Sequence, residues 1–494
     1  MTELDNQGTP QLSERNRKLS VRAKIAYSSG SLEEAMVGAA GVATMVFYNQ
    51  VLGVSAALCG TAFLIASLVD AVSDPLIGSI SDNVHTRWGR RHPFMFAAAF
   101  PLALCFYLMY QPPSGLEEYQ LFLWFTVTMV GMRLAKTFYL VPHNALGAEL
   151  TDDYNERTSI FGWNYITGML GGIAAAVVTL YVIFPSTPDF ENGLLDGSRY
   201  ELLATYGALF ILIVVLLCTF LTADQIPYLH AKKNLVYAVK RSYSQATRDT
   251  WLNMRALLKN RSYLAVCSCW LILAISGGVL GVMGTYAFIY AFEFSTEQMA
   301  IRSFVMLPGA FLAIGFSAYL TKLFDKKLTV VYNIIAACFL IGLPFTLRLI
   351  GWFPDNDSQW LLFAFFGIWV LGYIALPVVP IVIDSQLVDI ADEHELNTGN
   401  RSEGLIFSVR TFAIKLTGGL GGLLGGFGLE IIGFPENASV ETLSQDVING
   451  LLFMHGPLYW IIVYAGLGFA MMYKIDRNRH AEILSALELN RSSK

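Results

Sequence analysis

A handful of ionisable side chains stands inside long apolar stretches of this chain, and their types and spacing carry the chemistry. Asp70 and Asp74 lie four residues apart in a run that reads as helix, so both carboxylates share one helical face about one turn apart. Two like charges at that separation repel unless a cation lies between them or one is protonated. Hard cations take oxygen ligands, which makes the pair a candidate sodium or proton site; pairing with a cationic helix is the plainer reading. Arg133 and Lys136 fall at i, i+3 near the middle of another apolar run. Two cations on one face there call for an anion, supplied by Glu33 or Glu34 or by a carboxylate, sulfate or phosphate of a solute. Lys415 is an ammonium within a further apolar run. His143, Trp163 and Tyr165 add a hydrogen-bonding ring and aromatic faces for a sugar, although such rings also serve in packing.

These side chains need elements to position them. The chain has 494 residues, 54% of them hydrophobic and only 14% charged, with a mean hydropathy of +0.50. That balance excludes an ordinary soluble enzyme. A net charge of -5 gives no basic excess to hold nucleic acid. The six cysteines lie in apolar stretches, where thiols act as small hydrophobes, so neither a metal site nor a disulfide framework is indicated. His394-Glu395 lacks the second histidine of a zinc protease motif, and no Ser/His/Asp arrangement is evident.

A membrane-spanning helix needs roughly 20 apolar residues. Twelve segments qualify: 25–51, 57–81, 92–110, 119–146, 159–184, 202–222, 263–291, 300–321, 329–350, 359–383, 405–432 and 450–473. A polar stretch with many lysines and arginines separates the sixth from the seventh. The expectation is an all-α membrane protein, twelve transmembrane helices in two six-helix bundles at 25–222 and 263–473. A cytoplasmic segment 1–24, a linker 223–262 and a tail 474–494 complete it. Lysine and arginine concentrate in alternate loops, which puts both termini in the cytoplasm. Two halves of six suggest an alternating-access transporter with its site between them.

Gly78-Ser79-Ile80-Ser81-Asp82 followed by Arg87-Trp88-Gly89-Arg90-Arg91 joins the second and third spans. A shorter echo, Thr321-Lys322-Leu323-Phe324-Asp325-Lys326-Lys327, joins the eighth and ninth. Gly78 permits close helix approach, while Asp82, Arg87, Arg90 and Arg91 can form ion pairs that latch the cytoplasmic face; a solvated positive anchor is the plainer reading. The first loop resembles that of the major facilitator superfamily. Three further stretches narrow the resemblance: Val69 to Gly78, Val141-Pro142 through Thr158, and Asp384 to Asp389 with Thr398 to Gly404 and Phe412 to Lys415. Together they resemble the glycoside-pentoside-hexuronide:cation symporters, the melibiose permease-like group, over nearly the whole chain.

The resemblance implies that Asp70 and Asp74 contribute to a cation site and that Lys415 couples cation to solute. It implies a sugar-binding carboxylate on the first span; counting from Gly53 gives Glu34, and Glu33 stays open as the alternative. The chain departs from the group where Leu140 replaces an aspartate of its sugar carriers, and Asn164 or Tyr165 replaces an arginine. A galactoside clamp of that type is therefore in doubt, and Arg133 and Lys136 stand in its place. Acidic residues from Asp384 to Glu403, with Arg401, are expected to meet the arginines of the second-to-third loop when the cytoplasmic side shuts.

The expected function is symport of sodium or protons with a sugar-like solute, anionic if Arg133 and Lys136 meet it. Symport of a lysolipid or other amphipathic anion is the alternative, and a transporter-like receptor the reading from another class. No prosthetic group is expected. The partners are the solute, the coupling cation and the lipid bilayer of the plasma membrane, without nucleic acid, and the chain is expected to be monomeric.

Overall fold

The computed structural model describes residues 18–84, 86–151, 153–229, 255, 257–399 and 403–492. Helices dominate, and the described residues hold no strand beyond one isolated bridge between Thr86 and Gly89. A helix satisfies its backbone hydrogen bonds internally, which the hydrocarbon interior of a membrane demands. Nine stretches of the described residues are long and apolar enough to cross a membrane. Ten of the twelve expected spans fall within them, because Thr296–Leu349 takes in both 300–321 and 329–350. The exceptions are 405–432 and 25–51. The latter is broken at Ser29 and Gly30 and carries Glu33 and Glu34, which lower its hydropathy.

The chain forms two compact units. Unit 1 contains α1 (Val21–Ser28), α2 (Ser31–Val46), α3 (Ala56–Asn83), α4 (His92–Met109), α5 (Glu118–Glu149), α6 (Tyr154–Val177) and α7 (Tyr200–Leu221). α5 packs against α3 and α4, α4 against α7, and α2 against α6 and α7. Ser55 caps α3 by accepting from the Leu58 amide, and Asp153 caps α6 by accepting from Glu156. Pro75 in α3 and Pro142 in α5 each remove a backbone donor within about a turn of the candidate site. Unit 1 also takes in Phe294–Ala300 and Pro435–Ala438, segments that the sequence boundaries assign to the second bundle. There the Ser186 amide and hydroxyl donate to Glu297 at 2.8 and 2.5 Å, and Gln50 Nε2 donates to the Pro435 carbonyl at 3.1 Å.

The remaining helices are α8 (Arg261–Tyr290), α9 (Thr296–Val305), α10 (Leu307–Leu349), α11 (Leu361–Ala375), α12 (Val378–Thr398), α13 (Glu403–Ile431), α14 (Gln445–Phe453), α15 (Tyr459–Met471) and α16 (Arg477–Ser492). All but part of α9 belong to unit 2. α10 is two helices meeting at Asp325, whose φ of 67° interrupts the helix within the Thr321–Lys327 echo. α8 packs on α13 and α15, and α10 on α11 and α12. The glycine run of α13 serves close packing: a Cβ at Gly278 of α8 would stand 2.9 Å from Gly421 Cα.

Candidate functional site

α3 presents Asp70, Ser73 and Asp74 toward α5, which answers with Thr137. Thr137 Oγ1 lies 3.1 Å from Asp70 Oδ1, 2.9 Å from Asp74 Oδ1 and 3.1 Å from Ser73 Oγ. Ser73 also donates to the Asp70 backbone carbonyl at 3.2 Å. A threonine hydroxyl has one proton, so it donates to one carboxylate and turns a lone pair toward the other. Without a further positive charge or proton, that second approach sets two acceptors against each other. The four side-chain oxygens thus form the donor set a hard cation prefers. Arg133, one turn earlier on α5, places Nη1 3.7 Å from Asp70 Oδ2. Arg133 thus offsets part of the carboxylate charge.

Thr137 was not among the residues singled out from the sequence. A threonine in an apolar helix is ordinary, and only the register of α5 against α3 brings it to the carboxylates. Its four-residue spacing from Arg133 is the one sequence signal that places it on the same face.

Lys136 meets Glu34 of α2, Nζ to Oε1 at 3.1 Å. The Glu34 side chain is 61% exposed, whereas Glu33 is fully buried. An exposed carboxylate at membrane depth faces water rather than lipid, since lipid exposure of a charge is expensive. Arg133 and Lys136 therefore each have a carboxylate partner within unit 1, and neither requires an anion from outside.

His143, a candidate solute ligand whose plainer reading is a structural histidine, is buried and bonded to backbone. Its Nε2 donates to the Tyr27 carbonyl at 2.9 Å, and its ring stacks on Tyr27 at 4.4 Å. It ties α5 to the end of α1 where the first span breaks, aided by Tyr139, whose hydroxyl donates to the Gly30 carbonyl. Trp163 and Tyr165 of α6 are exposed. Lys415 lies half-buried on α13 in unit 2.

In the second-to-third loop, Arg91 bonds Asp82, Ser81 and Glu149, and Arg90 reaches Glu149 at 2.9 Å. Glu149, at the end of α5, joins this cluster unannounced by the loop motif, while Arg87 is exposed. The acidic face of α12 finds partners inside unit 2: Asp389 takes Lys326 at 2.7 Å and the Tyr473 hydroxyl at 3.0 Å, and Asp392 takes His480 at 3.2 Å. Asp384 is a neighbour on the same helix. Arg401 lies outside the described residues, as does the side chain of Glu403.

A family model described as MFS/sugar transport protein matches residues 26–477. The chain belongs to this family. It is accordingly an integral, multi-pass membrane transporter with the major facilitator fold, and not an enzyme. Among curated relatives, the isoprimeverose transporter of Lactiplantibacillus pentosus is 24% identical over 441 residues, 88% of this chain and 84% of its own length. The glucuronide carrier protein homolog of Escherichia coli (strain K12) is 24% identical over 456 residues and 88% of each chain. Among solved structures, a bacterial homolog to the human lysosomal transporter Spinster aligns with a TM-score of 0.62 at 14% identity, covering 94% of this chain and 97% of that one. That likeness concerns the fold alone.

Proposed function

We propose that this transporter couples sodium influx to uptake of a glycoside by alternating access. The observation that carries the reading is the convergence of Asp70, Asp74, Ser73 and Thr137 oxygens at the contact of α3 and α5. A proton needs one acceptor, whereas several oxygens grouped within hydrogen-bond distance of Thr137 favour a hard metal cation such as sodium. Membership of the sugar transport family supports a sugar-like solute, as do relatives named an isoprimeverose transporter and a glucuronide carrier protein homolog. Pairing of Lys136 with Glu34 and of Arg133 with Asp70 favours an uncharged glycoside over an anionic one. Glu34, exposed and held by Lys136, would meet sugar hydroxyls, with Trp163 and Tyr165 as candidate stacking faces. Lys415 enters as the coupling ammonium, on the strength of the family resemblance.

Counterflow in proteoliposomes with isoprimeverose, a glucuronide and a lysolipid, each with and without sodium, tests this. Exchange of the neutral glycoside stimulated by sodium is expected. Exchange confined to the glucuronide would restore the anionic solute, exchange confined to the lysolipid would replace the sugar, and indifference to sodium would remove the cation.

A further inference from the structure

Glu33 and Glu34 are adjacent carboxyl groups with one ammonium between them. Glu34 takes it: Lys136 Nζ is 3.1 Å from Glu34 Oε1. Glu33 points about 100° further round the helix, where it is 0% exposed, and neither of its oxygens has a hydrogen-bond partner. Among the described residues the surroundings supply no hydrogen bond in its place. From α5, Lys136, Arg133 and Tyr139 lie within electrostatic reach. Lys136 is committed to Glu34, Arg133 lies by Asp70, and the Tyr139 hydroxyl donates to the Gly30 carbonyl. His143 Nε2 and the Cys218 thiol of α7 both turn to the Tyr27 carbonyl. α6 faces this stretch of α2 with Gly168 and Gly171, against Ser31 and Leu32, and α7 brings Gly207 near Met36. An ionised carboxylate so enclosed would have no donor and no counter-charge of its own, since Lys136 and Arg133 each pair with another carboxylate. A carboxylic acid needs no counter-charge.

We propose that Glu33 is a proton-binding site, distinct from the sodium oxygens on α3 and α5, which holds one proton while Lys136 stays on Glu34. A solute hydroxyl that engages Glu34 loosens Lys136, which lies within reach of both acids; its charge then stabilises ionised Glu33, and the proton passes to solvent on the exposed Glu34 side. This second step rests on the solute reading above, whereas the proton on Glu33 does not. The site links solute binding to a proton without using Asp70 or Asp74.

Infrared spectroscopy of the purified full-length protein, reconstituted at neutral pH in saturating sodium without solute, tests the proton directly. A carboxylic-acid carbonyl band that shifts in heavy water is expected. It should vanish in Glu33→Gln and persist in Asp74→Asn. Glu33→Gln should also melt like wild type, because glutamine copies a neutral acid. Should that variant not fold, Glu33→Asp keeps the acid and moves the band. The proposal is overturned if wild type shows no such band, if the band survives Glu33→Gln, or if it ignores Glu33→Asp. Sodium binding, measured separately on the same samples, reports on the cation reading independently.

Discussion

Thr137 bridges the two aspartates, and its single hydroxyl proton cannot serve both. Replacing it with valine keeps the shape and removes one oxygen. A lost hydrogen bond to a charged group is worth about 1.5 kcal/mol, so Thr137→Val should raise the sodium concentration for half-maximal binding about tenfold. The Glu34–Lys136 pair makes a second test at this scale. Removing one partner leaves an unbalanced charge, and removing both does not. Lys136→Gln alone is expected to abolish counterflow, and the double variant with Glu34→Gln to regain folding and part of the exchange, read as initial rates. Asp70 and Asp74 were legible in the sequence because carboxylates at i, i+4 in an apolar run are rare and costly. Glu34 was legible only to within one residue, and burial now separates it from Glu33. Thr137 and the backbone-bonded state of His143 were not legible, since both depend on how α5 sits against α3 and α1.

At the scale of elements, helix contacts rest on small residues, as between α8 and α13. Gly421→Leu would drive a side chain into the Gly278 backbone, an overpacking cost of about 1–3 kcal/mol. The melting midpoint in detergent is expected to fall by roughly 5 °C, and an unchanged midpoint would show that the two helices do not pack there. Most spans were legible from hydropathy alone. The first was harder, because Ser29 and Gly30 break it and its two glutamates oppose the apolar signal. The break in α10 at Asp325 coincides with the charged echo motif, so composition marked that turn even though the helical run continues on both sides.

At the scale of the whole molecule, the scarcity of charge is the organising fact. Charges in the loops set orientation and the few in the helices set chemistry. Both termini are expected in the cytoplasm. With the native cysteines buried or half-buried, an impermeant maleimide added to intact cells should label Ser114→Cys and spare Ser485→Cys; the reverse pattern would invert the topology. Family membership was legible because motifs recur in order along the chain, while solute charge was not, since it depends on which cations already have partners. The sodium site is the claim on which the rest depends, and it can be measured without knowing the solute. Binding of radioactive sodium to the purified protein should be saturable in wild type and lost in Asp74→Asn. Binding by Asp74→Asn equal to wild type would contradict the assignment of these oxygens to the cation.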